Sequence, residues 1–516
     1  MTDPYDDVAY PGQCVPLAHP SRLFVAAHLH GATPAPVATA RILELGCGTA
    51  DHLLPLAARL PNARCVGIDR AATPLAIARE RAQALGATLD LIEVDLAQAD
   101  EALAAPDLPE RYDYIIAHGL YSWVPEDLQT QLFALVGRWL ADHGVAYVSY
   151  NALPGWHLRG MVGQMMRFHA DPDAPADARI DQARGLVDWL ADVVPESDPY
   201  GAWIRKEADL IDEQPDGWLF HDLLAPHNHP ALLTTVVAQA RAHGLGYLGD
   251  ADLPAMSLAR LPKALRETLA RLGDDPVTLE QYLDFVLCRN FRRSLFMRAE
   301  VPRTKADWPR VTDLHVRGLV EAEGLVGQDG TEAFRNRSGD GLRTAQPILR
   351  SALHNLIDEG VRAIPFADLE ARVRDEVGDT PDLQRTLARH LLVAFHHELV
   401  DLSAGPVGGP TAVGRRPQVD PVARVAAAWG RVPNAHHRSL PVDTLDQLLL
   451  RRADGTRLVT DLVREAYADL LEGRVPMPEG GPPIDDAGEV AAWLEATVPK
   501  RLARYGKAAL FVEEVS

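Results

Sequence analysis

Two glycines stand directly after a short apolar run near the start of the chain. The run RILEL at 41–45 is rich in branched residues and predicts a buried strand, and Gly46 and Gly48 follow it as GxG. Glycine lets a backbone approach a ligand closely, so this turn predicts a small-molecule site. The complete dinucleotide fingerprint has a third glycine where this chain has Asp51, so a ligand without a pyrophosphate fits better.

Three acidic residues are spaced to recognise the rest of such a ligand. Glu44 lies two residues before Gly46, and Asp69 ends the second apolar run, where a carboxylate can accept from both hydroxyls of a ribose. Asp95 ends the third run and is placed to accept from an adenine amino group. This register favours an adenosine ligand with a compact charged tail, such as S-adenosylmethionine, over an ordinary α/β turn.

Apolar runs alternate with helical patterns around these residues. The segments ADHLLPLAARL and TPLAIARERAQALG, which follow the first two runs, have apolar residues at helical spacing. Gly86 predicts the end of the second helix. Strands that alternate with helices predict a parallel doubly wound sheet, whose ligand lies at the carboxyl ends of the strands. The five predicted strands are 41–47, 64–70, 89–96, 111–119 and 144–150.

A helical interruption is predicted before the sheet is complete. Residues 171–218 hold amphipathic helices, after which 230–253 predict a helix plus a strand and 290–299 a last strand. We expect these two strands to form an antiparallel pair that closes the sheet. Apolar positions of the helical segment fit either a subunit interface or packing against their own domain. They are Leu186, Trp189, Leu190, Val193 and Val194.

Several motifs resemble those of a known enzyme class. LELGCGTADHL, VGIDR and LIEVDL resemble the motifs of class I methyltransferases that use S-adenosylmethionine. YDDVAYPG, YDYIIAHGLYSWVP and YVSYNALPGWHLRGMVGQMMRFHA resemble bacterial methyltransferases with a methyltransferase regulatory domain, including the rickettsial enzymes that methylate lysines of an outer-membrane protein. The specific motifs cover about residues 5–170, and a looser likeness runs from 281–300 into the C-terminal region.

The resemblance implies an α/β fold. A Rossmann-like, seven-stranded class I methyltransferase core with a helical insertion would be followed by mainly helical, winged-helix-like C-terminal domains. The implied units are strands one to five at 1–170, the insertion and possible dimerisation segment at 171–218, the end of the core with the regulatory region at 219–300, and winged-helix-like domains at 301–404 and 405–516.

The resemblance also implies which residues bind S-adenosylmethionine and its product S-adenosylhomocysteine. An N-terminal segment with Tyr10 and His19 would fold over the cofactor, and His118 and Gly119 would line the methyl-transfer pocket. The full implied set is Glu44, Gly46, Cys47, Gly48, Asp69, Arg70, Asp95, Leu96, His118, Gly119, Tyr10 and His19.

Polar and aromatic residues follow two adjacent predicted strands, where the acceptor should lie. Methyl transfer from a sulfonium is an in-line displacement, so the protein mainly positions its reactants. A lysine acceptor must be neutral, and burial among apolar, aromatic side chains lowers its pKa. The candidate catalytic residues are His118, Tyr121, Trp123, Tyr150, Asn151 and Trp156.

These candidates have both catalytic and structural interpretations. Tyr150 and Asn151 are placed to bond a substrate amine or its water, and His118 to accept a proton directly or through water. Alternatively, Asn151 only caps a turn. Trp123 and Trp156 either form a cage for the amine or pack helix caps.

Charge and composition narrow the functional classes. A net charge of −21 argues against a nucleic-acid binder, and the absence of any run of 18 apolar residues argues against a membrane span. Four cysteines form neither a CxxC pair nor a disulfide framework, which favours a reducing cytoplasm. The histidine clusters at 227–230 and 395–398 lack matching ligand pairs, so we expect no metal.

Three functions stay open from the sequence. The first is methylation of a protein side chain, most simply a lysine, with protein docking by the C-terminal domains and a possible homodimer. The second is methylation of a small molecule or natural-product intermediate. The third is a non-catalytic regulator that binds S-adenosylmethionine. The 216 residues after position 300 favour a macromolecular substrate and hence the first function.

Overall fold

Seven strands form one mixed sheet in the computed structural model, which describes residues 8–258, 261–272, 275–325 and 330–512. They are β1 Arg41–Leu45, β2 Arg64–Asp69, β3 Asp90–Glu93, β4 Tyr112–Ala117, β5 Leu140–Asn151, β6 Leu245–Asp250 and β7 Phe291–Arg298. The order is β3-β2-β1-β4-β5-β7-β6. The first five strands run parallel, and β7 is antiparallel to both β5 and β6. The predicted Rossmann-like sheet and its antiparallel closing pair are confirmed.

Helices cover both faces of this sheet, which is why its central strands are apolar on both sides. All six residues of β4 are buried, and four of the five residues of β1. The second helix after β1 ends at Gly86, which adopts a φ of 63°, as predicted. The helices of this half are α1 Pro20–Leu29, α2 Leu53–Arg59, α3 Ala72–Leu85, α4 Ala99–Leu103, α5 Glu126–Trp139, α6 Trp156–His169, α7 Ala176–Val193, α8 Pro199–Asp212, α9 Asp216–Asp222, α10 Leu233–Ala242, α11 Lys263–Ala270 and α12 Pro276–Leu287.

The chain leaves the sheet after β5 and builds a helical unit from α6 to α9. These helices share an apolar cluster of their own, which includes Met166, Val187 and Ile204. Helix α7 turns Val187 inward, while Trp189 and Val193 are 57% and 52% exposed. The same helix therefore packs against its own unit and presents an uncovered apolar strip.

Two smaller units follow the sheet. The elements of the first are β8 His315–Gly318, β9 Val320–Leu325, β10 Glu332–Asn336, β11 Gly341–Thr344, α13 Pro347–Glu359, β12 Ile364–Pro365, α14 Phe366–Val377, α15 Leu383–His396 and β13 Val400–Ser403. In it, β12, β8 and β13 form one small sheet and β11, β10 and β9 another. The last unit contains α16 Pro421–Ala426, β14 Arg431–Pro433, β15 Ser439–Pro441, α17 Thr444–Arg452, α18 Val459–Leu471 and α19 Ala487–Lys507. Within the described ranges, no helix is long and apolar enough to cross a membrane.

A fully buried arginine joins the last two strands of the large sheet to α12. Arg292 on β7 donates from Nε to Asp284 at 2.8 Å and from Nη2 to Glu280 at 2.9 Å, and its Nη1 donates to the hydroxyl of Tyr247 on β6 at 3.1 Å. Burial raises the pKa of both carboxyl groups even beside the guanidinium. The network thus keeps cationic and acidic groups together in the interior, where each alone would be strongly unfavourable.

Replacement of Arg292 by methionine should destabilise the fold strongly. Removing one partner from a buried ion pair costs about 3–5 kcal/mol, because the other charge is left uncompensated. We expect a loss of that size in the free energy of unfolding measured by urea denaturation at pH 7. The exposed Arg451 supplies the matched control, Arg451→Met, which should change stability little. A similar small loss for both variants would show that the network contributes little to stability.

Candidate functional site

A cavity of about 1030 Å³ opens at the carboxyl ends of β1 to β5, where a ligand is expected in a doubly wound sheet. Its volume suits a ligand of nucleoside size together with an acceptor group. The wall also includes the N-terminal segment 9–16, Trp218 and Asp222 of the helical unit, and Arg431 of the last unit. Four separate parts of the chain therefore complete the site.

The loop after β1 is fixed by the neighbouring strand. The backbone N–H groups of Gly46 and Cys47 donate to the carbonyl of Ile68 at 2.9 and 3.0 Å, and that of Gly48 donates to Asp69 Oδ2 at 2.8 Å. Gly46 and Gly48 have φ angles of 73° and 51°, a region that favours glycine. A Cβ at Gly48 would meet no atom within 4 Å, so the loop leaves room for a ligand beside it.

Glu44 is a buried carboxyl group in the wall of the cavity. The residue is only 5% exposed, and among the described residues its Oε2 has no hydrogen-bond partner. Burial, followed by the nearby charges of Asp69 and Asp51, raises its pKa well above the usual range. An unpartnered buried carboxyl group is costly, so this position fits a ligand that brings a cationic or N–H group to it.

The two carboxylates at the ends of β2 and β3 are held by backbone donors. Asp69 Oδ1 accepts from the N–H of Ala71 at 2.9 Å, and Asp95 Oδ1 accepts from that of Ala97 at 2.9 Å. A carboxylate has about four acceptor positions, so each of these side chains can accept from several donors at once. Arg70 and Leu96, each next to one of these acids, also line the cavity.

His118 and Gly119 lie at the end of β4 and line the cavity, as the sequence predicts. His118 Nδ1 lies 3.0 Å from the hydroxyl of Tyr147 and 3.2 Å from Ser149 Oγ, and Ser149 Oγ accepts from the N–H of Gly119 at 2.8 Å. Burial, and secondly Arg293, lowers the pKa of His118 to about 4. The imidazole is therefore neutral at pH 7 and fixed in orientation by β5.

The segments that follow β4 and β5 contribute two indole rings to the cavity wall, and the last residue of β5 contributes an amide. Asn151 Nδ2 donates to Asn228 Oδ1 at 3.0 Å, and no group in the described part of the chain donates to Asn151 Oδ1. Trp123 and Trp156 line the cavity with their ring centroids 6.4 Å apart in an edge-on arrangement. These three predicted residues do come together.

Three predicted site residues lie away from the cavity. Tyr121 and Tyr150 are each 1% exposed, with their hydroxyls bonded to Gln239 at 2.6 Å and Ser294 at 2.9 Å. Successive side chains of a strand point to opposite faces, so Tyr150 enters the interior because its neighbour Asn151 faces the cavity. Tyr121 packs its ring against Tyr150, with centroids 5.6 Å apart.

The third, His19, caps α1 and does not line the cavity. Its Nδ1 accepts from the N–H of Ser21 at 3.0 Å, and its ring lies 5.0 Å from that of His437. His437 Nε2 in turn lies 2.9 Å from Nδ1 of His52, which does line the cavity. We call His19, His52 and His437 the histidine cluster. It joins the N-terminal segment, the start of α2 and the last unit.

The N-terminal segment lines the cavity at 9–16, while residues 1–7 lie outside the described residues. Tyr10 lines the cavity, with its ring 5.8 Å from that of His221. The backbone N–H of Cys14 donates to Ser439 Oγ at 2.8 Å, so the last unit holds this segment in place. His221 lies inside α9 and contacts the Val8 carbonyl at 2.7 Å.

Sequence reasoning missed several cavity residues from distant segments. They are Arg159, Trp218, Asp222, Arg293 and Arg431. No local motif marks them, although Arg159 and Trp218 lie on amphipathic helices. His227 also lines the cavity and stacks on His229 with ring centroids 6.2 Å apart. In the part of the chain that the structure describes, no three His, Cys, Asp or Glu residues converge to hold a metal ion.

Three family models match successive parts of the chain. The model described as "Methyltransferase domain" matches residues 42–144, and "Predicted methyltransferase regulatory domain" matches 215–298. A third, described as "PKMT, C-terminal winged helix domain", matches 415–510.

Relatives and solved structures agree with these matches. The uncharacterized protein RP789 of Rickettsia prowazekii is 25% identical over 527 residues, which cover 99% of this chain and 94% of that protein. Protein RP028 of the same bacterium is 32% identical over 228 residues, 43% of this chain and 88% of that protein. PKMT2 from Rickettsia typhi shares the fold with a TM-score of 0.83 at 22% identity, over 98% of this chain and 100% of that chain.

The strand order and the cavity at the ends of β1 to β5 define a class I methyltransferase, an enzyme that takes its methyl group from S-adenosylmethionine. Within this class, the chain belongs to the methyltransferases that carry a methyltransferase regulatory domain and a C-terminal winged-helix domain. The resemblance drawn from the sequence motifs is thereby confirmed.

Asp69→Ala should weaken binding of S-adenosylhomocysteine by at least about tenfold, because hydrogen bonds to a charged group contribute about 1.5–3 kcal/mol. The carboxylate both orders the Gly48 loop and faces the cavity. Isothermal titration calorimetry measures the change. Glu93→Ala, which removes an exposed acid from β3, is the control and should leave the affinity unchanged. Equal affinity of the two variants would contradict the assigned role of Asp69.

The histidine cluster should make the protein less stable in acid. Burial lowers the pKa of His19 to about 3 and those of His52 and His437 well below the usual value. An unfolded histidine takes up a proton near pH 6.5 whereas these folded ones stay neutral, so stability present above pH 6.5 is lost as the pH falls below it. For His19, with its folded pKa of about 3, the loss by pH 5 is about 2 kcal/mol.

Urea denaturation at pH 7 and pH 5 tests this expectation. His437→Asn removes one titrating group from the cluster, so its loss of stability on acidification should be smaller than in wild type. His143→Asn, at an exposed position, should behave as wild type. The same acid response in all three proteins would place the pH dependence elsewhere in the molecule.

Proposed function

We propose that the chain transfers the methyl group to the side-chain amine of a lysine in a protein. The observation that carries this proposal is the wall formed by Trp123, Trp156 and Asn151 at the ends of β4 and β5. Asn151 Oδ1 can accept from an amine N–H, since its Nδ2 is already bonded to Asn228. Indole faces attract cationic, methyl-bearing groups, which suits an amine that gains methyl groups.

The remaining part of the cavity fits S-adenosylmethionine. Glu44, with its unpartnered Oε2, would accept a hydrogen bond from the amino group of the methionine part. Asp69 would accept from the ribose hydroxyls and Asp95 from the adenine amino group. Gly46 and Gly48 would let the backbone approach the cofactor, because no Cβ stands in the way.

S-adenosylmethionine, when bound, supplies a methyl group on a sulfonium sulfur that is already a good leaving group. The task of the protein is to align the amine lone pair and to keep water away. Trp123 and Trp156 bury the alkyl chain of the acceptor, which favours the neutral amine. His118 is neutral at pH 7 and holds a proton poorly, because its pKa is lowered to about 4. Its role is therefore to orient groups at the end of β4.

Two features support a protein substrate over a small molecule. The wall of the cavity extends to Arg431 in the last unit, and a second cavity adjoins it along α6, so the site is not an enclosed pocket. PKMT2 from Rickettsia typhi, whose fold this chain shares, has also been solved in complex with AdoHcy. The shared fold includes the accessory units that a macromolecule could contact.

The same proposal assigns partners and location. The winged-helix units would dock protein in preference to nucleic acid, given the net charge of −21. A homodimer would use the exposed strip of α7 that includes Trp189 and Val193. The four cysteines are free, which fits the cytoplasm.

Incubation with methyl-labelled S-adenosylmethionine and a lysate of the producing organism tests the proposal. We expect label in discrete protein bands and, after acid hydrolysis, in Nε-methylated lysine. Asn151→Ala should reduce labelling by about tenfold or more, since it removes the hydrogen-bond acceptor that aligns the amine while cofactor binding persists. The exposed variant His143→Ala should label as wild type. Label confined to small molecules, or to other residues, would overturn the lysine assignment.

A further inference from the structure

A second, smaller cavity of about 250 Å³ adjoins the main one along α6. Trp156, Arg159 and Asp222 line both cavities, so they mark the junction between them. The smaller cavity also exposes apolar surface beside it, since Leu158 and Met161 on α6 are 46% and 36% exposed. A chain lying along α6 would reach the methyl-transfer site past Asp222.

Asp222, the last residue of α9, is the carboxyl group at this junction that remains available to a ligand. Within the described residues, its carboxyl group has neither a hydrogen bond nor an ion pair. Arg159, by contrast, is engaged. Its Nε lies 3.6 Å from Glu207, and its guanidinium carbon lies 5.9 and 5.7 Å from the ring centroids of Trp156 and Trp218.

We propose that Asp222 docks the primary ammonium group of the substrate and takes the proton that must leave before methyl transfer. The inference rests on the proposed function and specifies its acceptor: an unmodified primary amine on a flexible alkyl chain, whose peptide lies in the smaller cavity along α6. The indole of Trp156, which lines both cavities, would cover the alkyl chain on its way past the carboxylate.

The step is a proton transfer followed by substitution. The Nζ–H bond of the ammonium breaks, and the proton goes to a carboxylate oxygen of Asp222. The lone pair left on Nζ then forms the bond to the methyl carbon, while the electron pair of the carbon–sulfur bond stays on sulfur as a neutral thioether. Charge balances, since the sulfonium charge passes to the methylated amine.

The surroundings of Asp222 suit such an exchange at neutral pH. Burial raises its pKa to about 7, and Arg159 opposes that rise. A proton acceptor works best when its pKa lies near the working pH, which His118, with a pKa of about 4, does not satisfy. The guanidinium of Arg159 on α6, paired with Glu207 on α8, also favours the neutral form of a nearby amine.

Two sets of adenosine probes test the docking step without any turnover. Every probe carries an alkyl arm of two to four carbons on a 5′-amine that replaces the sulfonium. In one set the arm ends in a primary ammonium group, and in the other set it ends in the corresponding acetamide. Calorimetry should show that wild type binds the best ammonium probe at least about tenfold more tightly than the matching acetamide. Asp222→Asn should lose this preference, and Asp222→Glu should recover part of it.

Asp209→Asn, an exposed acid on α8, is the matched control and should keep the full preference. Unchanged binding of S-adenosylhomocysteine shows that each variant is folded. A preference retained in Asp222→Asn overturns the inference, as does equal affinity of wild type for both probes. If Asp222→Asn fails to fold, the comparison of the ammonium and acetamide probes in wild type decides the test. Ammonium preference without methylated lysine in the lysate assay would instead refute the lysine substrate and leave the amine-docking role in place.

Discussion

The buried charge of Arg292 is the constraint on which the closing strands of the sheet, β6 and β7, depend. A guanidinium with no solvent contact must have acidic partners, and it has them in Asp284 and Glu280 of α12, with the hydroxyl of Tyr247 on β6 as a further acceptor. The strands β6 and β7 and the helix α12 therefore form one unit. The adjacent Arg293 lines the cavity, so this strand links the stability of the fold to the site.

The parts that the sequence predicted well are local ones. Gly46, Gly48, Asp69 and Asp95 each follow an apolar run, and the position of a residue at a strand end determines which edge of the sheet it occupies. Alternation along a strand is equally local, and it separates Tyr150 from Asn151 at the end of β5. Since Asn151 faces the cavity, Tyr150 had to face the interior, where its hydroxyl contacts Ser294.

The parts that the sequence did not predict depend on long-range packing. Arg431 comes from the last unit and Asp222 from a helix outside the sheet, and neither belongs to a motif. The family resemblance implies that His19, together with Tyr10, lies over the cofactor. Its ring instead belongs to a cluster whose other members, His52 and His437, come from separate parts of the chain. Hydrophobic periodicity cannot predict such a meeting of three segments.

The contact between Cys14 and Ser439 spans 425 positions of the chain. During synthesis, the sheet and its glycine loop leave the ribosome long before Ser439 does. Until then the segment over the cavity has no contact with Ser439, and the wall of the cavity lacks Arg431. A nascent chain therefore carries a cofactor site without its finished cover. The enzyme reaches its complete binding site only when the last domain has been translated and folded against the first.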